Sequence, residues 1–251
     1  MKISDLIEKL DFPEKARVDK KVFKNAFFKN TNLTKRQRDV VTDDIESINW
    51  VFALKKENTN IPVLVTDEYD YSEVQIMGVE LRSGKNKDRI SDIIHKNIPS
   101  PVIIVFEYED EVSLSTGMKR ESKADKLKTV VEDIYTTEWI SGKGKKEKDF
   151  IDSLGVKNLS HKNFYEFYED FADRVKLFIA CEYMDRYFYE NVEKTNKAYD
   201  KFLKIRELEE EEKRLRGLIK SVRSISEKVR LNIKIKDIEK SKNLYLQGMN
   251  N

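Results

Sequence analysis

Glu80, Leu81 and Arg82 are the stretch that comes nearest to the acid, any residue, lysine order of metal-dependent, restriction-type nucleases. In that chemistry a carboxylate helps to hold a divalent cation that activates water for phosphodiester cleavage. Arginine is a poor substitute for lysine beside a nucleophilic water, because it is always charged and bulkier. Two acidic sets, Asp67, Glu68, Asp70 and Glu107, Glu109, Asp110, Glu111, lack the spacing diagnostic of a cation site. Ordinary solvent-facing residues account for all of these. His95 stands near the end of a predicted helix, where the dipole favours a cation, and His161 precedes an aromatic helix. Neither has a Ser, Cys or Asp partner at readable spacing. The GKGK of 142–145 lacks the spacing of a P-loop, and no apolar strand leads cleanly into a helix there. The lone Cys181 forbids an internal disulfide and a Cys-based zinc site, so the cytoplasm is the expected compartment. The residues thus predict no catalytic group, no metal ligands and no cofactor.

Cations offer more. Lys and Arg number 48 against 46 Asp and Glu, a net charge of +2 that says little about partners as a global figure. Locally the charges are sorted: Glu207 and residues 209–212 form an acidic block, and residues 213–242 then hold eleven Lys or Arg against Glu227, Asp237 and Glu239. Leu208, Leu215, Val222 and Val229 recur every seven residues with Leu218 and Ile225 between them, the pattern of a coiled-coil seam. In that frame Arg216, Lys220, Arg223, Arg230 and Lys234 fall at b and f positions and share an outward face along which a phosphate backbone could lie. The alternative is a solvated helix face paired with acidic neighbours. Lys119, Arg120, Lys123, Lys126 and Lys128 cluster at the last predicted hairpin, where they either extend the basic surface or blunt a sheet edge.

The elements that position these groups follow from hydrophobic period. Helix formers and Phe23, Phe27 and Phe28 predict helix through about residue 41, with Thr34 as a cap for a second helix. From Ile48 the period becomes two: Ile48, Trp50, Phe52 and Leu54 predict a strand, and Met77, Val79 and Leu81 a second. The DEYDY of 67–71 reads as an exposed acidic loop. Ile90, Ile93 and Ile94 have helical spacing, and Pro99 and Pro101 end that helix before the buried strand PVIIVFEY. A hairpin follows through Val112, Leu114 and Thr116, and 127–140 supplies a last strand. Consecutive strands joined by short turns favour antiparallel neighbours, so the expected class is α+β: a mixed, largely antiparallel sheet with flanking helices, then a long helical C-terminal region with a coiled-coil-like hairpin.

The glycine and lysine-rich 141–148 marks the expected boundary. Three regions result: an α/β domain over 1–140, a linker and aromatic-faced helices over 141–205, and a basic helical arm over 206–251. In the middle region Phe164, Phe167, Tyr168, Phe171, Val175 and Phe178 make one continuous apolar helix face, expected to be core. The opening MKISDLIEKL fits neither a signal peptide nor a transit peptide. The longest strongly apolar run, 102–106, is too short for a membrane span, so no membrane is expected.

VFEYEDEVSLSTGMKR at 105–120, followed by TTEWI at 136–140, resembles a bacterial family known as domain of unknown function 4391. LRGLIKSVRSISEKVRLNIKIKDIEK at 215–240 is similar to that family's closing helices, with the Val, basic, Leu, Asn order at 229–232. The resemblance spans nearly the whole chain, through structural rather than catalytic motifs. It implies an accessory protein that accompanies a DNA methyltransferase or a helicase subunit in restriction-like antiphage defence. The expected function is therefore a non-catalytic accessory subunit that binds a partner enzyme, and DNA through its basic arm. The rivals are a purely structural protein, a homo-oligomer or partner-binding coiled coil without nucleic acid, and a metal-dependent nuclease built on Glu80.

Overall fold

The computed structural model describes residues 1–24, 33–122 and 129–249, in two compact units, Met1–Ile179 and Ala180–Asn251. Phe27, Phe28, Lys123, Lys126 and Lys128 lie outside the described residues. The units divide at 179/180, whereas the expected regions divided at 140/141 and 205/206.

The first unit opens with helix α1 (Ile3–Leu10), whose Leu6, Ile7 and Leu10 are buried. Continuous helix was expected here, but strand β1 (Arg17–Lys21) follows instead. Its sequence RVDKK carries no apolar alternation, because an edge strand is held by main-chain pairing and gains from charges that deter further pairing. Thr34 caps α2 (Lys35–Asp44) as anticipated, its hydroxyl accepting from Gln37 N while the Gln37 side chain returns to Thr34 N. Strand β2 (Ile45–Lys55) keeps Ile48 buried but leaves Trp50 half-exposed. A register shift between Trp50 and Phe52 breaks the alternation, so residues 51–54 are all buried.

The single turn α3 (Lys56–Thr59) leads to a small hairpin, β3 (Leu64–Val65) and β4 (Asp70–Tyr71), in place of the expected open loop. Its last residue, Tyr71, is fully buried. Strand β5 (Glu73–Leu81), helix α4 (Lys87–Asn97) and strand β6 (Val102–Tyr108) form a crossover unit in which β5 and β6 run parallel, from Gln75 opposite Val102 to Glu80 opposite Glu107. Strands β7 (Glu111–Glu121) and β8 (Thr129–Thr136) complete a sheet of order β1-β2-β5-β6-β7-β8, antiparallel at every other junction. The class is α+β, as the sequence implied.

Val40 and Val41 of α2 and Ile90, Ile93 and Ile94 of α4 form one core with Met77, Val79, Leu81, Ile104 and Phe106 of the sheet. The lysine-rich 141–148 is not a slack linker. Glu147 on α5 (Lys145–Ser153) accepts the backbone N–H groups of Lys143 (3.0 Å) and Gly144 (3.2 Å), which caps that helix and holds the Glu147 carboxyl below its usual range despite burial. Gly142 adopts φ 75° here, a conformation that disfavours any side chain. Helix α6 (Phe164–Ala180) buries Phe164, Phe167, Tyr168, Phe171 and Val175 completely, and Phe178 stacks on Phe150 at 4.1 Å, so the aromatic stripe is core.

The second unit contains α7 (Val192–Ser221) and α8 (Ile225–Met249), joined by a turn at 222–224 and packed as an antiparallel hairpin. The turn falls inside the proposed heptad run, so one seam cannot pass from Leu208 to Val229. Ile225 is 79% exposed and Val229 53%, whereas the buried contacts are Phe202, Ile205 and Leu215 against Ile235 and Met249. The hairpin was anticipated, and so was a register slip after Val229 to a stripe of Leu231, Ile235 and Ile238, of which Ile235 is buried; the seam positions Ile225 and Val229 are exposed instead.

Candidate functional site

The hairpin sorts its cations into two groups. Arg216 is neutralised within the chain: its guanidinium meets Glu212 at 2.8 Å on its own helix and Glu239 at 2.6 Å on α8. Lys242 reaches the other oxygen of Glu212 at 2.8 Å. One carboxylate thus ties two cations across the helix pair, and both hold the Glu212 carboxyl below its ordinary range. Lys220 near the end of α7, Arg223 in the turn, and Arg230 and Lys234 on α8 are exposed and form no hydrogen bond or ion pair with a described residue. The heptad face that was to align all five is broken by the turn at 222–224. What the fold does assemble is a groove of about 510 Å³ lined by Glu209, Glu212, Lys213, Arg216, Gly217, Lys220 and Lys242. Four cations and two carboxylates surround it; Arg216 and Lys242 are held by Glu212 and Glu239, which leaves Lys213 and Lys220 without an ion pair among the described residues. Lys213 and Lys242 were not singled out from sequence. The signal was available in the four-residue steps 209, 213, 216/217 and 220, which place one helix face toward the groove.

Lys119 and Arg120 do not join this surface. A register shift between Gly117 and Lys119 in β7 turns Lys119 inward, where it is 2% exposed. Its ammonium donates to the carbonyls of Ile98 and Ser100, the latter at 2.8 Å. Burial brings its pKa down to about 7. Such a side chain fastens the loop before β6 and cannot reach a phosphate backbone, so its expected role in nucleic-acid contact is withdrawn. Arg120 pairs with Glu132 across to β8 at 2.9 Å.

The irregularity in β7 also organises the buried polar groups around it. Tyr168 Oη accepts the Gly117 N–H at 2.9 Å and donates to Val102 O at 2.7 Å. Tyr71 Oη accepts the Lys119 N–H at 3.1 Å. Two hydroxyls therefore occupy positions where a continuous ladder would supply main-chain partners. Burial raises both phenols well above their usual range. His95, expected at an exposed helix end as a cation, is instead 1% exposed; its Nε2 lies 3.0 Å from Ser115 Oγ, which in turn contacts Ser91 Oγ at 2.6 Å and Thr136 Oγ1 at 3.0 Å. Ser115 and Ser91 are fully buried, so this Ser–His contact has no open face for a substrate.

Glu80 lines a cleft of about 530 Å³ between α1 and the sheet, together with Arg17, Asp19, Asn49, Gly78 and Glu107. The neighbouring carboxylate is already engaged, because Glu107 accepts Ile3 N at 2.7 Å and pairs with Lys2 at 3.1 Å. Among the described residues no group of three or more His, Cys, Asp or Glu is arranged to hold a metal ion. No helix of the described residues is long and apolar enough to cross a membrane.

These features define an α+β protein with a helical hairpin that carries exposed cations without an ion pair among the described residues. The chain belongs to the family described as Domain of unknown function (DUF4391), whose model matches residues 10–241, spanning both units. No curated protein and no solved structure matches it.

Proposed function

We propose that this protein is a non-catalytic accessory subunit of a bacterial DNA-modification or antiphage-defence system, acting in the cytoplasm beside a DNA methyltransferase or helicase subunit. The defence setting rests on the family resemblance of 105–120 and 215–240. The contact with DNA rests on one observation: Lys220, Arg223, Arg230 and Lys234 project from the hairpin without an ion-pair contact among the described residues, Lys234 acting on the Glu211 carboxylate only from a distance. A chain that spends its acids on Arg214, Arg216 and Lys242 and leaves these four open has a surplus of charge for an external polyanion. Contacts of this kind release counterions and read no sequence.

A gel-shift titration of duplex DNA tests the reading. With four phosphate contacts, affinity falls roughly a hundredfold between about 50 and about 200 mM salt. Alanine at Lys220, Arg223, Arg230 and Lys234 together removes most of the shift, whereas Lys119→Met leaves it unchanged. Binding that is insensitive to both salt and the four substitutions refutes the proposal.

A further inference from the structure

The outer side of α8 carries a second stripe. Ile225, Val229, Ile233, Lys236, Lys240 and Leu244 follow one another at steps of four, four, three, four and four, which keeps them on one helix face. Its apolar members are open to solvent: Ile225 is 79% exposed, Val229 53%, Ile233 56% and Leu244 71%. Lys236 and Lys240 are exposed as well and form no ion pair with a described residue. The stripe runs about 28 Å along the helix. Arg230 and Lys234 lie roughly 90° and 130° around α8 from the centre of the stripe, so the DNA-facing cations flank this face rather than belong to it.

The inner stripe of the same helix shows what such a surface accepts. Leu231, Ile235, Ile238, Lys242, Leu246 and Met249 face α7, again an apolar row interrupted by lysine. There α7 supplies Ile205 and Leu215 for the apolar positions and Glu212 for Lys242, at 2.8 Å. The outer row repeats that composition without its complement. Pairing of the stripe with itself supplies none: an antiparallel two-fold arrangement about its middle sets Lys236 against Ile233 and Lys240 against Val229, and a parallel one sets lysine against lysine. Three β-branched residues at successive four-residue steps suit packing against another helix. The stripe has no Trp or Phe of the kind that anchors a helix in a lipid interface.

We propose that the outer stripe of α8 docks an amphipathic helix of a different protein, one whose apolar face presents carboxylates to Lys236 and Lys240. This rests on the reading of the chain as an accessory subunit and specifies the chemistry of its partner.

The test uses the full-length protein and two labelled synthetic helices of about 28 residues, each with Leu and Ile along one face. One carries Glu at the two positions that meet Lys236 and Lys240, and its twin carries Lys there. In anisotropy titrations the Glu helix binds and the twin binds at least about tenfold more weakly. Val229→Asp with Ile233→Asp abolishes binding, and Lys236→Glu with Lys240→Glu reverses the preference, while circular dichroism shows unchanged helix content. Arg223→Ala with Arg230→Ala weakens duplex DNA binding and leaves the Glu helix bound, so loss of one activity is told apart from loss of the other. The proposal is overturned by absence of saturable binding, by equal binding of the twins, by a dimer in light scattering that Val229→Asp dissolves, or by capture on phosphatidylserine vesicles through the same residues.

Discussion

Lowering the pH from 7 to 5 sets two buried groups of the first unit against each other. His95 has Nε2 against Ser115 Oγ and Nδ1 without a partner, packed so closely on Gly117 that a Cβ there would lie 3.0 Å from it. Protonation would add an N–H at Nδ1 with no acceptor, and burial, aided by the charge of Lys119, brings the folded pKa from 6.5 down to about 3. The unfolded chain therefore takes up the proton first, and stability is lost as pH falls from about 6.5 toward about 3. Between pH 7 and 5 this amounts to about 2 kcal/mol. Asp173 on α6 behaves in the opposite sense. It is 8% exposed, its Oδ2 has no partner, and burial beside Glu169 and Asp170 raises its pKa from 3.8 to about 6. The native state binds this proton more tightly, so its contribution is complete below the unfolded value and is lost as pH rises through about 6. Between pH 7 and 5 it adds about 1 kcal/mol. The wild-type protein shows the small difference, together with a further loss of less than about 1 kcal/mol from Lys119, whose folded pKa burial brings down to about 7. Asp173→Asn unmasks the histidine and loses about 2 kcal/mol over that interval, whereas His95→Gln leaves the aspartate alone and gains about 1 kcal/mol. Urea titrations at the two pH values, followed by fluorescence of Trp50 and Trp139, both in the first unit, measure this directly. If Asp173→Asn and the wild type respond to pH alike, the assignment of opposite signs is wrong.

Tyr168→Phe leaves the Gly117 N–H and Val102 carbonyl buried without their hydroxyl partner and costs about 3 kcal/mol, read as a lower urea midpoint with an unchanged slope. Glu212→Gln acts on both stability and binding: it removes the charge shared by Arg216 and Lys242, lowers hairpin stability by about 1 kcal/mol, and strengthens DNA binding in a gel shift by freeing Lys242, while Arg216 keeps Glu239.

Period-based reading reached the elements whose burial is one-sided. The α+β class, the Thr34 cap, the helix containing Ile90 and the strand 102–108 all follow from local spacing. It failed where main-chain pairing alone decides, as in β1, whose RVDKK has no apolar signal, and where a register shift changes the face, as at Trp50 and Phe52. The same cause misplaced Lys119. An alternating strand assigns it to the surface, and only the irregularity after Gly117 sends it inward. On the hairpin, the seven-residue recurrence from Leu208 to Val229 is real in sequence, but Ser221 ends one helix and Ile225 begins the next, so residues in register along the chain lie on separate helices. Charge sorting located the arm; the pairing of Arg216 with Glu212 four residues before it is local, whereas the approach of Glu239 to Arg216 and of Lys242 to Glu212 is long-range and has no local signature.

The lone parallel junction of the sheet divides its assembly in time. Strands β6, β7 and β8 are neighbours in sequence and can zip as a meander, whereas β1 reaches β2 only across 22–44, which include α2, and β5 reaches β6 only after the chain has travelled through α4. Both of these closures cost more chain entropy than the β6–β7 hairpin, whose strands are separated only by residues 109 and 110. The β6–β7–β8 meander should therefore form first, and β5 joins it along Val79 and Phe106 only as α4 packs.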